Sequence, residues 1–214
     1  MMTKRSSVPD QEHWNGVYNR LDLGKPVYDL WLDAYAPFLD GAKNDAIIDL
    51  GCGYGCDTLY LTERGYRVIA CDFSEEALRR IAEHIPEAET KQVDMTAGLP
   101  FEGGSAGAVV ADLSLHYFAW QDTVNIVNDI ARVLKPRGVL LARFNSVGDV
   151  HYGAGLGVEL EPNYYEHDGR RKRFFDEGDL LRLFADWEIK ALRETDLHRY
   201  GKPKRCWELA AVKV

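Results

Sequence analysis

The segment 46–61, AIIDLGCGYGCDTLYL, runs from an apolar stretch into a helical pattern across three alternate glycines, Gly51, Gly53 and Gly55. It constrains the fold more than any other part of the chain, because it reads as a buried strand turning sharply into a helix. Such a loop can cradle a nucleotide phosphate, hold a different cofactor, or merely make the turn. Cys52 and Cys56 lie inside it and add a metal or redox reading.

The same unit recurs along the chain. Strands are expected over 46–50, 67–71, 90–93, 108–113 and 139–144, with helices at 56–64, 74–84 and 123–134 between them. Gly65 closes the first of these helices as a C-cap. Ser74 caps the second, with Glu75 and Glu76 in its first turn. The nearly unbroken apolar run over 108–113 suits a strand covered on both faces. Lys135-Pro136-Arg137-Gly138 is expected as the link into strand five. This order predicts an α/β, doubly wound, Rossmann-like sheet with helices on both sides. Ahead of it, aromatics at helical spacing (Trp14, Tyr18; Tyr28, Trp31, Tyr35) suggest two short helices within 11–40. Residues up to Asp10 read as polar and loose.

The last third differs. The stretch 148–173, rich in Gly, Tyr and charge, is expected as a long loop or insertion. A helix follows over 175–184, then strands over 187–194 and 206–214 whose short link requires antiparallel pairing. The expected organisation is a single domain over 1–214: N-terminal helices 11–40, a cofactor-binding core 44–146, and a substrate-side portion 147–214. A chain of 214 residues, 46% hydrophobic and 28% charged, can bury a core of its own. Its net charge of -8 argues against nucleic acid as a partner. No apolar run is long enough for a membrane span, MMTKRSSVPDQEHW lacks a signal's apolar centre, and four cysteines without regular spacing suit a reducing compartment. A cytoplasmic monomer or homodimer is expected.

Four acidic residues, Asp49, Asp72, Asp94 and Asp112, fall at predicted strand ends, where open α/β sheets bind ligands. Asp72 lies 21 residues after Gly51, where a carboxylate can accept both hydroxyls of a ribose and would repel a 2′-phosphate. Taken singly, each of the four is as readily a helix cap or a solvated side chain. The loop separates the cofactors that share this ribose logic. The dinucleotide fingerprint G-x-G-x-x-G needs a third glycine where this chain has Cys56, and no G-K-[ST] follows for a P-loop. A G-x-G-x-G turn with Asp49 at its entrance, and no diphosphate to hold, suits S-adenosylmethionine better.

Asp49 through Gly55, then Cys71-Asp72-Phe73-Ser74, then Val93-Asp94-Met95 resemble the successive cofactor motifs of class I S-adenosylmethionine-dependent methyltransferases, and 132–138 resembles the family's entry to strand five. The resemblance spans residues 14 to 214 and implies a seven-stranded sheet, mostly parallel with the last strand antiparallel. It implies that Gly51, Cys52, Gly53 and Gly55 form the turn around the methionine and ribose portions, with Asp49 supporting the amino group or the turn itself. Asp72 is implied to hold the ribose hydroxyls and Asp94 the adenine amino group. Phe73 and Met95 would supply apolar faces to the adenine, and Leu113 would close the pocket below. For these apolar residues core packing is an equally good reading. The product would be S-adenosylhomocysteine. With no second Cys or His pair near Cys52 and Cys56, no metal is expected, and the cysteines read as packing.

Features after strands four and five bear on the acceptor. Asp112 is followed by Leu113-Ser114-Leu115 rather than the D/N-P-P-Y/F of base amino-methylases, no glutamate pair follows it, and Phe144-Asn145 stands where catechol-type enzymes have Asp-Asn. A metal-free enzyme acting on a small molecule is implied. Arg170, Arg171, Lys172, Arg173, Arg199, Lys202, Lys204 and Arg205 place eight of the 26 basic residues in two short stretches. They are either a solvated face or a means of drawing in an anionic substrate. His198-Arg199 with Lys204-Arg205, the glycine segment and Arg173-Phe174-Phe175 are similar to the tellurite-resistance branch, whose relatives include thiopurine-type methylases. An anionic or soft nucleophile such as tellurite, selenite or a thiol is the acceptor so implied. The candidate catalytic residues are His116, His198 and Arg199. The candidate substrate contacts are Trp14, Tyr18, Tyr117, Tyr165, Arg199 and Arg205. Two other readings stay open: a nicotinamide-dependent oxidoreductase, and a non-catalytic module that binds S-adenosylmethionine as a sensor.

Overall fold

Strand β1 (Ala46–Leu50) is buried along its whole length and lies between β2 (Arg67–Asp72) and β4 (Ala106–Asp112), parallel to both. Its side chains alternate: Ala46, Ile48 and Leu50 pack toward one face of the sheet and Ile47 toward the other. Ala108 and Val110 of β4 oppose Val109 and Ala111 in the same way. Both faces being apolar, helices cover both.

The computed structural model describes residues 11–20 and 24–214; the expectation of a loose segment up to Asp10 lies outside them. Seven strands form one sheet in the order β3-β2-β1-β4-β5-β10-β9. Strands β1 to β5, including β3 (Glu89–Gln92) and β5 (Leu134–Asn145), are parallel to their neighbours within this set. Strand β10 (Lys204–Lys213) runs antiparallel between β5 and β9 (Trp187–Leu197), as its short link to β9 requires. On one face lie a 3-10 turn (Trp31–Tyr35), α2 (Ala36–Gly41), α3 (Cys56–Glu63) and α4 (Glu75–His84). On the other lie α5 (Trp120–Val133) and α6 (Glu177–Leu183). Helix α1 (Gln11–Arg20) buries no residue completely and rests against α4.

The local reasons are those of the sequence. Gly65, at φ 78°, ends α3 by donating to Thr62 O while Tyr66 donates back to Leu61 O. Ser74 Oγ accepts from Ala77 N at the start of α4. Asp176 caps α6 through the backbone N–H of Asp179 at 2.7 Å.

Two expectations are corrected. The segment Lys135–Gly138 is not a link before strand five but an irregularity inside it. Ala106 of β4 pairs with Leu134 and Ala108 with Val139, so the intervening residues bulge, with Arg137 at φ 65°. The stretch 148–173 is not a long loop either. It carries a three-stranded antiparallel sheet of β6 (Val158–Glu161), β7 (Tyr164–His167) and β8 (Arg170–Arg173). Asp168 and Gly169, at φ 50° and 71°, form the two-residue turn between β7 and β8. An Asp-Gly pair between such strands is the strongest short-range hairpin signal, and it stood in the sequence. The charged run beside it, with no alternation of apolar residues, gives no strand signal of its own.

Candidate functional site

The sheet reverses its order between β1 and β4, and the glycine turn leaves the carboxyl end of β1 at that point. Gly51 (φ 75°), Gly53 (φ 50°) and Gly55 (φ 87°) all hold conformations that side chains disfavour. A Cβ on Gly51 would overlap Ser114 Cβ and stand 3.1 Å from Met95 Cε; one on Gly53 would stand 2.6 Å from the Tyr18 hydroxyl. The turn is pinned by Gly51 N and Cys52 N, both donating to Cys71 O at the end of β2, at 2.8 and 2.9 Å.

Asp72 stands across this turn. Its Oδ2 accepts from Gly53 N and its Oδ1 from Ser74 N, each at 2.8 Å. Burial raises its pKa, with the backbone bonds opposing the shift. Asp49, fully buried one strand over, accepts from Thr58 Oγ1 at 2.6 Å and so ties β1 to α3. Burial, with Asp112 and Asp72 adding to it against the Thr58 bond, pushes Asp49 up to about 7. Asp94 is half-buried and its Oδ1 accepts from Thr96 N (2.9 Å) and Thr96 Oγ1 (2.7 Å), capping a 3-10 turn whose first residue, Met95, reaches the glycine turn. Phe73 follows Asp72 as a half-buried residue. Leu113 takes φ 52° and is buried with Leu197 and Cys206.

Helix α1 roofs the turn. Asn15 Oδ1 accepts from Ser74 Oγ at 2.6 Å, which docks the helix on the start of α4. That places Tyr18 over Gly53, while the Trp14 ring lies 5.0 Å from Tyr117 in an edge-on contact. Burial first, then Asp72 and the Tyr117 hydroxyl, raises the Tyr18 pKa, and burial, then the Tyr200 hydroxyl, raises that of Tyr117.

Arg143 was not expected. It is 1% exposed, on β5, and binds Asp112 through Nε (2.7 Å) and Nη2 (2.9 Å) and Asp29 through Nη1 (3.0 Å), with its guanidinium 4.6 Å from the Trp31 ring centroid. Arg199 Nη2 adds a bond to Asp112 Oδ2 at 2.8 Å. Burial alone would raise the Asp112 pKa, but the two arginines outweigh it and hold the carboxyl low. Asp57, bonded by Trp31 Nε1 at 2.9 Å, lies beside this cluster and is pushed up by burial and by Asp112. The one signal for Arg143 was a charged residue alone within an apolar strand run.

His116 is buried after β4, with Nδ1 unpartnered among the described residues, and its ring centroid lies 4.2 Å from that of Tyr117. Burial, then Lys204 and Lys172, lowers its pKa well below the usual range. Tyr165 lies on β7, 6.2 Å between ring centroids from Phe174. His198 is exposed just past β9, and Arg205 is engaged on the surface with Asp196 at 3.0 Å and Glu194 at 3.9 Å. The turn, Asp72, Met95, Trp14, Tyr18 and Tyr117 are thus brought together, whereas Arg205 faces its own hairpin. Cys52, Cys56, Cys71 and Cys206 are free, and burial raises all four thiols, Cys56 to about 11.

Residues 47–138 match a family model described as a methyltransferase domain. The chain is 34% identical over 125 residues to the demethylmenaquinone methyltransferase of Thermobifida fusca (strain YX), covering 56% of this chain and 51% of that one. It spans about half the length of the curated relatives it matches. Among solved structures it superimposes on a SAM-dependent methyltransferase from Methanosarcina mazei with a TM-score of 0.72 at 22% identity, over 83% of this chain and 97% of that one. TehB from Haemophilus influenzae superimposes with a TM-score of 0.62 at 18% identity, over 95% and 67%. These likenesses establish the fold as the α/β Rossmann-like, mostly parallel seven-stranded sheet with an antiparallel hairpin at its end.

Proposed function

We propose that this chain is an S-adenosylmethionine-dependent methyltransferase with a small-molecule acceptor. The observation that carries the reading is Asp72, a buried carboxylate bonded across a G-x-G-x-G turn at the point where strand order reverses. The match of 47–138 to a methyltransferase domain supports it.

The residues present fit the cofactor. Each Asp72 oxygen spends one bond on a backbone N–H and keeps a lone pair for a ribose hydroxyl. Gly51 and Gly53 leave bare backbone where any Cβ would collide with Ser114 or the Tyr18 hydroxyl. Asp94 and the Phe73 and Met95 side chains serve the adenine, and Asp49 steadies the turn through Thr58. Bound there, S-adenosylmethionine supplies a methyl group already activated on a sulfonium. The protein then aligns the acceptor and excludes water, a role for Trp14 and Tyr18 on α1 and for Tyr117.

His116 decides what kind of acceptor this site suits. A buried imidazole of depressed pKa stays neutral at pH 7 and is a weak base, able to orient an acceptor by a hydrogen bond. Such a site favours nucleophiles needing no strong base: an oxyanion, a thiolate, or selenite and tellurite, as the tellurite-resistance resemblance implies. Arg199 acts by holding Asp112.

Calorimetry with S-adenosylhomocysteine and with NAD tests the cofactor. Binding of the first and none of the second is expected; the reverse would establish the oxidoreductase alternative. Labelled methyl transfer to tellurite, selenite, thiols and small carboxylates is the assay for turnover, and binding with no transfer to any acceptor would identify a sensor.

A further inference from the structure

A cavity of about 210 Å³ lies against the β7–β8 hairpin, with Tyr152, Tyr165, Phe174, Arg170 and Lys172 on its walls and His167 and Asp168 at the turn end. Its position ties it to the cofactor site. The Tyr152 ring centroid is 5.6 Å from that of Tyr200, whose neighbour Arg199 binds Asp112, and the hydroxyl of Tyr164, next to Tyr165 on β7, donates to Tyr117 O at 3.2 Å. The cavity therefore adjoins the segments that carry Tyr117 and Tyr200. The end of β8 is fastened to the loop after β4, where Arg173 N donates to His116 O at 2.7 Å, and the residues after it to β5, where Phe175 N donates to Asn145 O at 2.8 Å.

Two cations, Arg170 and Lys172, and one carboxylate line this cavity, and that carboxylate, Asp168, is 86% exposed to solvent. Lys172 is half-buried, and among the described residues neither it nor Arg170 has an ion pair. The neighbouring Asp149 already receives Lys204 Nζ at 2.8 Å, and Asp168 is an exposed partner of His167 at 3.4 Å. A half-buried ammonium beside other cations costs stability unless an anion meets it. Burial, then Lys204 and Arg170, lowers the Lys172 pKa accordingly. Next to these cations stand three aromatic rings, which suit a flat carbon skeleton better than a bare inorganic oxyanion. The volume falls below the roughly 300–1,000 Å³ of drug-sized pockets, so the molecule is small.

We infer that this cavity is the acceptor site, and that it takes a small planar carboxylate whose anionic group is held by Lys172 and Arg170 between the rings of Tyr152, Tyr165 and Phe174. The inference rests on the cofactor reading above. It assigns substrate recognition to the β6–β8 insertion and to Lys172, rather than to Arg199 or Arg205.

The test uses the whole chain saturated with S-adenosylhomocysteine. Benzoate, nicotinate and anthranilate are titrated by calorimetry, with benzamide and inorganic phosphate as controls, against the wild type and Lys172→Met. At least one carboxylate should bind, with benzamide and phosphate at least tenfold weaker. Lys172→Met should lose at least tenfold in that affinity, keep its affinity for S-adenosylhomocysteine, and melt no lower than the wild type without carboxylate. No binding by any of the three, or equal binding of benzamide, would overturn the inference, and tighter phosphate would point to an inorganic oxyanion instead. A Lys172→Met protein that melts lower with carboxylate affinity intact would make Lys172 structural and overturn it too. Failure of S-adenosylhomocysteine to bind at all would instead count against the cofactor reading.

Discussion

Replacing Asp72 by asparagine keeps the side chain's shape and removes its charge, which separates its two jobs. The carboxylate accepts from Gly53 N and Ser74 N. An asparagine oxygen can accept only one of these, and its NH2 meets the other N–H head-on. The stranded donor is buried, so apo stability should fall by about 1–3 kcal/mol. The ligand side is separate: bonds from ribose hydroxyls to a charged acceptor are worth about 1.5–3 kcal/mol. That corresponds to a loss of roughly 10- to 150-fold in affinity for S-adenosylhomocysteine. A cycle isolates the contact from the damaged turn. Adenosine and 2′-deoxyadenosine are titrated into both proteins by calorimetry. Wild type should prefer adenosine, and the preference should vanish in Asp72→Asn. If the preference survives the substitution, Asp72 shapes the turn without touching the ribose, and the assignment of the strand-two carboxylate is wrong.

Asp112→Ala leaves the fully buried Arg143 with Asp29 as its remaining carboxylate partner and should destabilise the fold by about 3 kcal/mol in urea unfolding, the low end for removing one member of a buried pair. Because the Asp112 pKa is held low, its contribution is complete above the usual aspartate range near pH 4 and is lost as pH falls through the lower folded value. The wild-type urea midpoint should therefore drop more steeply below pH 4 than that of Asp112→Ala. Asp49 has the opposite sign. Its pKa, raised to about 7, means that the folded state loses stability as pH rises from about 4 to 7, and Thr58→Val, which removes the bond favouring its charged form, should deepen that loss. Gly51→Ala should lower the melting temperature sharply or prevent folding, since Cβ would overlap Ser114 at a φ of 75°, whereas Gly65→Ala, with open space around it, should cost only its strained backbone.

The alternation of apolar runs with capped amphipathic helices carried the sheet, because burial on two faces and capping are written in consecutive residues. Gly51, Gly53 and Gly55 were legible for the same reason: a positive φ is a local demand that glycine alone meets cheaply. The Asp168-Gly169 turn is equally local, but the charged strands it joins do not alternate in hydrophobicity, so nothing beside it signals strand.

Sequence by itself thus determined the strand–turn–helix units, the antiparallel end and the aspartates at or just past the ends of β1 to β4, all set by neighbours along the chain. Tertiary structure decided what those aspartates face. Asp72 turns to the glycine backbone, Asp112 to Arg143 and Arg199, and Asp49 to Thr58, through bonds spanning 9 to 87 residues. It also decided that Lys172, one basic residue among eight, lines a cavity beside Arg170 and, among the described residues, has no ion pair of its own. A charge's chemistry depends on what surrounds it in space, and no spacing along the chain encodes that.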